Sequence, residues 1–409
     1  MSRPLVWIVK WAVAAAALAV LIGLTNFVVD PYGLYRWYET AGFNQQKEGM
    51  RSKIRHVKAL QLPLSKPRTV LIGSSRVHDG LDPENPLLQD QAPVYNLGIE
   101  MARVHESVMY LRHALVHSDV RRVILGLDFF MFNARERTNS TFEPALVGRR
   151  VNAVDYLRTT LLSTAALGDS LDTYFYSARH PDRREFLANG FRPGDQVFYR
   201  LRNWPNLHIA TNWTFLSSLP RATKYYADMA LDDQVFADFE QILAICNERR
   251  IDCRLYINPA HMSLDGEGLR AAGQWSALEE WKRRITRMAN AHAVPLWDFS
   301  GYNSVTTETV RTPMKYYWDS SHFTVPVGDW IVARVMGAAS ANTGIPDDFG
   351  VKLTPAGIEA HLESIRADRE RFAAAHPAEI ADLARDFDQY LHGAPLDLTR
   401  TAGIFAEEQ

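Results

Sequence analysis

The chain has 409 residues, with 45 Lys and Arg against 47 Asp and Glu, 47% hydrophobic and 11% aromatic residues, and only 2 Cys. This composition can bury a core, which excludes a disordered chain and a disulfide scaffold. The net charge of −2 argues against a nucleic-acid binder, whose domain would be clearly basic.

A mean hydropathy of −0.21 suggests a soluble protein, but the apolar residues are unevenly spread. Trp11–Val29 carries no charge and follows Leu5–Val9 and the single Lys10, so 5–29 reads as a membrane helix, since about 20 apolar residues span a bilayer core. A cleaved signal peptide would have a shorter apolar core and a small-residue cleavage site after it, whereas this stretch runs into Asn26-Phe-Val-Val-Asp30-Pro31. Arg3 and Lys10 precede it, and Asp30, Arg36 and Glu39 follow. That bias puts the N-terminus in the cytoplasm and the bulk of the chain outside, in the periplasm or its equivalent.

After a polar stretch over 39–67, short apolar runs alternate with helical patterns. The strand-like runs are Thr69–Ile72, Val94–Leu97, Arg122–Leu127, Cys253–Ile257 and Val294–Trp297; helices are expected over Ala102–His117, Asp233–Arg249, Ala277–His292 and Val327–Ala338. Near-continuous apolar strands alternating with helices imply an α/β fold, a three-layer α/β/α arrangement around a mainly five-stranded parallel sheet. The interval 132–232, rich in Arg, Tyr, Trp and Asn, has no clear strand and reads as an insertion into a domain spanning 68–340; 341–409 reads as a helical extension. Within the insertion, Tyr174, Tyr176, Tyr199, Trp204 and Trp213 are candidate stacking surfaces for a sugar polymer, with ordinary buried aromatics as the equal alternative. The run Phe129–Phe132 reads as core rather than as an acyl pocket.

Ligands of such sheets bind outside the carboxyl ends of the strands. The residues found there are Gly73-Ser74-Ser75-Arg76-Val77-His78, Asn96-Leu97-Gly98, Gly126-Leu127-Asp128, Asn258-Pro259-Ala260-His261 and, farther on, Asp319-Ser-Ser-His322. They contain a serine on a Gly turn, an Asp/His pair and a second glycine, the parts of a Ser–His–Asp acyl-transfer site. Ser75 is the candidate nucleophile, with Ser74 competing one residue away. Asp319 and His322 are the orienting acid and the base. Arg76, His78, His261 and Asp128 are weaker candidates for substrate contact, the first three each with a structural role as the plain alternative. The segment is not the α/β-hydrolase elbow, because Val77 replaces the final glycine of Gly-x-Ser-x-Gly.

His113 and His117 have helical i, i+4 spacing without a third ligand, so no metal is expected, and no phosphate-binding glycine loop follows a strand, so no cofactor is expected either. Cys246 and Cys253 are close enough to pair in an oxidising compartment, or are two buried small hydrophobes.

These blocks resemble the SGNH (GDSL-type) hydrolase superfamily, specifically its membrane-anchored cell-envelope branch, which includes D-alanyl transfer and polysaccharide O-acetyltransferase-type proteins. Gly73-Ser74-Ser75 matches the first block with Ser in place of Asp, Gly98 matches the oxyanion glycine, and Asp319/His322 match the final block. The resemblance implies a flavodoxin-like SGNH fold, the amides of Ser75 and Gly98 as oxyanion donors, and an ester-cleaving or acyl-transferring enzyme. Its substrate would be an envelope glycan or polymer, and a membrane-bound O-acyltransferase its working partner. Asp128 stands where the family has an oxyanion-donating Asn. A carboxylate cannot donate there, so Asp128 is either protonated or turned elsewhere. The alternative reading is an inactive SGNH-like domain that binds polysaccharide or scaffolds an envelope assembly.

Overall fold

The chain's structure is a computed structural model, which describes residues 3–197, 215, 226–310, 313–338 and 344–391. Strands β1 (Thr69–Gly73), β2 (Val94–Gly98), β3 (Arg122–Leu127), β4 (Asp252–Ile257) and β5 (Leu296–Asp298) pair in parallel in the order β2-β1-β3-β4-β5. β1 to β3 are buried along their whole length, which is why they read as unbroken apolar runs rather than alternating ones. The register sets Gly73 opposite Gly98, so the β1 and β2 ends open side by side.

A sixth strand, β6 (Val351–Lys352), pairs antiparallel with β5. The sheet is therefore mixed and six-stranded, not purely the five-stranded parallel sheet expected, and it continues past the boundary expected at residue 340. Two exposed residues leave no apolar block, so nothing in their sequence announces a strand.

β1 lies between β2 and β3, so the chain reverses direction across the sheet there. With right-handed crossovers this sends the helix after β1 to the face opposite the helices that follow β2, β3 and β4. On one face, α2 (Ile54–Ser65), α4 (Val104–His117) and α7 (Asp233–Arg249) pack in series, with α8 (Trp275–Ala291) beyond them. On the other, the short α3 (Ser75–Gly80) packs against α9 (Val325–Met336). A Cβ at Gly328 would lie 1.8 Å from the Gly80 carbonyl oxygen, so only glycine permits this crossing. The Phe129–Phe132 run is core, with Phe132 against Trp281, Phe236 and Phe239. Helices α10 (Ile358–Ala375) and α11 (Pro377–Leu391) form the C-terminal end, and His361 of α10 bonds Asp298 at the end of β5. Cys246 and Cys253 are buried free thiols.

The N-terminal helix α1 (Arg3–Val29) has 27 residues, about 40 Å at 1.5 Å per residue, with none of its most apolar window buried. It has the length and composition of a membrane span or a signal sequence. In the interval 132–232, α5 (Ala153–Tyr156) continues as a π-helical turn, Leu157–Leu161, and leads into α6 (Thr164–Arg179); this turn and α6 lie against α1.

The stretch over 39–67 is polar in sequence yet largely interior. Lys58 of α2 is fully buried and donates to the carbonyls of Asn96 (2.9 Å), Gly98 (2.5 Å) and Gly190 (3.0 Å). Replacing a buried donor leaves each acceptor unsatisfied at about 1–3 kcal/mol. Lys58→Met, of similar volume, is expected to lose at least about 2 kcal/mol of stability in chemical denaturation, against little change for exposed Lys66→Met.

Candidate active site

β1 ends at Gly73, and α3 begins two residues later with Ser74 as its N-cap, whose Oγ accepts the Arg76 N–H at 3.2 Å. The Ser74 carbonyl takes the N–H groups of Val77 and His78. The Ser75 amide remains the first-turn donor beside its own hydroxyl. Ser74 is buried, whereas Ser75 is the one partly exposed residue of the run 71–80. Of the two competing hydroxyls, it is Ser75 Oγ that meets His322, at 2.8 Å from Nε2.

Asp319 and His322 lie on a tight loop closed by a bridge between Tyr317 and Phe323 and by the Trp318 N–H to the His322 carbonyl, just before α9. Asp319 Oδ1 accepts the backbone N–H groups of Ser321 and His322, both at 2.7 Å, so the carboxylate is fixed before it meets the ring. Both carboxylate oxygens then lie 2.9 Å from His322 Nδ1. Burial opposes the charge on Asp319, but the imidazole and these amides outweigh it and hold its pKa below the ordinary carboxylate value. Burial likewise opposes protonation of His322, and the adjoining Asp319 carboxylate more than reverses this, raising the imidazole pKa. The ring keeps 20% side-chain exposure, so the pair stays accessible.

The weaker candidates turn inward. Arg76, 2% exposed, donates to Asp128 Oδ1 (2.5 Å), Asp265 Oδ2 (3.0 Å) and Ser321 Oγ (3.2 Å), and Asp265 is also held by the Tyr226 hydroxyl at 2.9 Å. Burial works against the guanidinium charge, but Asp128 and Asp265 hold it protonated well above its ordinary range. Burial raises the Asp128 carboxyl. Arg76 and Asp128, weaker candidates for substrate contact, face each other, and Arg76 joins the strand ends beneath the serine. His78 is fully buried, 6.3 Å ring to ring from Phe186, with its pKa driven well down by burial and then by Lys58 and Arg192. His261 is fully buried between Ser263 Oγ (2.8 Å) and the Glu308 carbonyl (2.7 Å), its pKa pushed down to about 4 by burial. Both are interior residues.

Gly98 is also committed. Its N–H donates to Asn96 Oδ1 at 2.9 Å, while Asn96 Nδ2 binds the carbonyls of Val77 and Leu81, both at 2.8 Å. A Cβ on Gly98 would come within 2.4 Å of the His78 nitrogen. The glycine thus lets α3 lie directly on β2, and its amide is spent inside that contact rather than offered to a substrate oxygen.

A further group beside the site has no signature in the sequence. Arg192 donates bidentately to Asp79 on α3 (2.7 and 2.8 Å) and also pairs with Glu100 beyond β2. Tyr174 packs on Phe43 and Phe175, and Tyr176 bonds Arg183; Tyr199, Trp204 and Trp213 lie outside the described residues. Among the described residues no cluster of His, Cys, Asp or Glu could hold a metal ion.

No protein-family model matches the chain, and no curated protein matches it. Among solved structures it is similar to one from Streptococcus pneumonia described as a "putative platelet activating factor", at 11% identity over 71% of this chain and 90% of that one, with a TM-score of 0.31. That overlap is too slight to bear on fold family or function.

Removing one partner of a buried ion pair leaves the other charged and unpaired, at about 3–5 kcal/mol. Arg76→Ala is expected to destabilise the chain by about that much, while Ser75→Ala at the partly exposed neighbour stays within about 0.5 kcal/mol. Parallel denaturant titrations of the two variants decide the point.

Proposed function

We propose that this chain is a membrane-anchored serine esterase or O-acyltransferase of the SGNH type, acting outside the cytoplasm on an acylated envelope glycan or polymer. The observation that carries the reading is His322, with Nε2 2.8 Å from Ser75 Oγ and Nδ1 2.9 Å from the Asp319 carboxylate. In this geometry Asp319 fixes the tautomer, leaving Nε2 free to accept the serine proton. Ser75 Oγ attacks the ester carbonyl, His322 takes its proton and passes it to the departing alcohol, and an acyl-serine forms. Water or an acceptor alcohol then releases the acyl group with His322 again as base, so hydrolysis and transfer share every residue. The Ser75 amide is the donor at hand for the oxyanion.

The mostly parallel sheet with its switch at β1 suits the flavodoxin-like SGNH fold. The anchor reading is supported by how the soluble part closes the end of α1: Asn44 Nδ2 reaches the Val28 carbonyl at 3.2 Å, and the buried Asp30 carboxylate accepts three N–H groups from Leu34, Tyr35 and Arg36. A segment destined for removal has no reason to be built in this way. The flanking charges favour a cytoplasmic N-terminus. A membrane-bound O-acyltransferase is the natural source of acyl groups for such a site.

Two observations favour a second reading, an inactive SGNH-like domain that binds polysaccharide or scaffolds an assembly. The Gly98 amide is spent on Asn96, and Asp128 on Arg76. A serine-directed phosphonate separates the two. Stoichiometric labelling of the wild type, lost in Ser75→Ala and His322→Ala, supports the enzyme. No labelling of folded wild type, and no hydrolysis of a small acetyl ester, leaves the binding reading.

The pH dependence follows from the raised His322 pKa. The base must be neutral, so kcat/KM is lost as pH falls through that pKa, and the acid limb lies above the ordinary histidine value of about 6.5. Asp319→Asn removes the charge that raises it. The variant is expected to move the limb to lower pH and to cut kcat on the order of 10⁴-fold by releasing the wrong tautomer. Rates measured from about pH 5 to 8 with both proteins check this.

A further inference from the structure

Helix α6 is amphipathic in the reverse sense. Its buried residues are the small Ala166, Ser170, Thr173 and Ser177, whereas Leu171, Tyr174 and Phe175 lie exposed on the outward side. With Leu167 and Ala178 these follow i, i+4, i+7, i+8, i+11 spacing, one continuous apolar stripe, and Asp172 and Arg179 fall on its flank. Leu171 and Phe175 are 51% and 54% exposed, a large apolar face for a helix in water.

This face adjoins α1. Asn26, buried near the end of α1, donates through Nδ2 to the carbonyls of Thr160 (3.0 Å), Leu161 (2.9 Å) and Ser163 (3.1 Å), and its Oδ1 accepts from Ser170 of α6 at 2.9 Å. Those carbonyls belong to the turn between α5 and α6, where a helix end leaves acceptors unpaired. Leu162, also exposed, comes within 3.5 Å of where a Gly23 Cβ would stand. Gly23 is about 9 Å before the end of α1 at 1.5 Å per residue, so the turn descends alongside the apolar helix. Irregular backbone at membrane depth requires its polar groups to be closed off by protein, which is what Asn26 does. Exposed Trp37 (64%) and Tyr38 (55%) continue the surface, Trp37 lying 4.9 Å ring to ring from Phe27 of α1. Aromatic residues of this kind collect at the level of lipid headgroups.

We infer that the α5–α6 turn and the outward face of α6 are seated in the outer leaflet of the bilayer, forming an interfacial anchor beside α1. The inference rests on the membrane-anchored reading above and deepens it. It commits the surface to lipid because the face is continuous with the side of the spanning helix and sealed to it by Asn26. A protein partner or a second copy would need no such seal.

The test uses the full chain in phospholipid vesicles, with a polarity-sensitive fluorophore on single cysteines introduced by Leu18→Cys in α1, Phe175→Cys in α6 and Arg371→Cys on the exposed side of α10. The two native cysteines are buried. Spin-labelled lipids, carrying the quencher shallow or deep along the acyl chain, report depth. The expected result is quenching at Leu18→Cys by the deep label, at Phe175→Cys by the shallow label with a blue-shifted emission, and none at Arg371→Cys. Quenching at Leu18→Cys with Phe175→Cys indistinguishable from Arg371→Cys overturns the inference while leaving the anchor intact, and so does a blue shift at Phe175→Cys without lipid quenching, which marks a protein partner. If Leu18→Cys is not quenched either, the anchor reading falls, and this inference with it.

Discussion

A buried guanidinium decides how the candidate site is assembled. Arg76 follows the nucleophile candidate directly and is almost wholly removed from water, so its charge must be met by groups brought to it. Those groups come from three separate places. Asp128 ends β3, Asp265 follows β4, and Ser321 sits between the two members of the Asp/His pair. An ordinary parallel sheet leaves these strand ends as independent loops. Here one side chain makes their positions interdependent, and the 2.8 Å approach of His322 to Ser75 is set from beneath as well as by Asp319. In the low-dielectric interior a displaced partner costs far more than at the surface, which favours one arrangement over neighbouring ones.

The same polar logic attaches the interval 132–232 to the sheet. Arg192 grips Asp79 on the far end of α3 and Glu100 beyond β2, and Lys58 reaches the Gly190 carbonyl together with those of Asn96 and Gly98. The segment is thus fastened to the helix that follows the serine and to the neighbouring end of β2 by charged groups that are themselves buried. The fastening has an electrostatic consequence, since Asp79 favours the protonated form of His322 and Arg192 opposes it. The insertion therefore belongs to the environment of His322 and is more than an appended cap.

What the sequence disclosed and what it concealed divide along one physical line. Strands buried on both faces must be apolar throughout, which makes β1 to β3 legible as runs, and strand ends are where chemistry gathers, which singles out Ser75, Asp319 and His322 from the sequence. Polar residues that turn inward were misread, because sequence pattern equates charge with solvent. The segment forming α2 reads as a polar stretch although Lys58, Arg55 and Gln61 are buried with partners, and Arg76, open in sequence to substrate contact or a structural role, is a core ion. Gly98 was placed correctly at its strand end, but no one-dimensional signal could say that Asn96, two residues earlier, would occupy its amide. β6 and Arg192 depend wholly on partners distant in sequence.

The end of α1 shows why this apolar helix and the domain are better regarded as one folded unit than as a domain on a tether. A flexible linker leaves its backbone to water, whereas here the chain turns sharply at buried Asp30, whose carboxylate satisfies three successive N–H groups, and the last carbonyls of the helix are reached by Asn44 and Lys47. Asn26 adds a lateral bond set to the α5–α6 turn. Each contact must be broken for the domain to swing relative to the helix, and buried hydrogen bonds of this kind resist in proportion to the unpaired groups they would leave. On the proposed function the consequence is geometric. A site held rigidly to its anchor samples one height and one tilt above the bilayer, so a polymer or acyl donor presented at that height meets Ser75 repeatedly, and one lying deeper in the envelope does not meet it at all. Rigid attachment would then contribute to substrate choice without a specificity pocket, by restricting which esters come within reach.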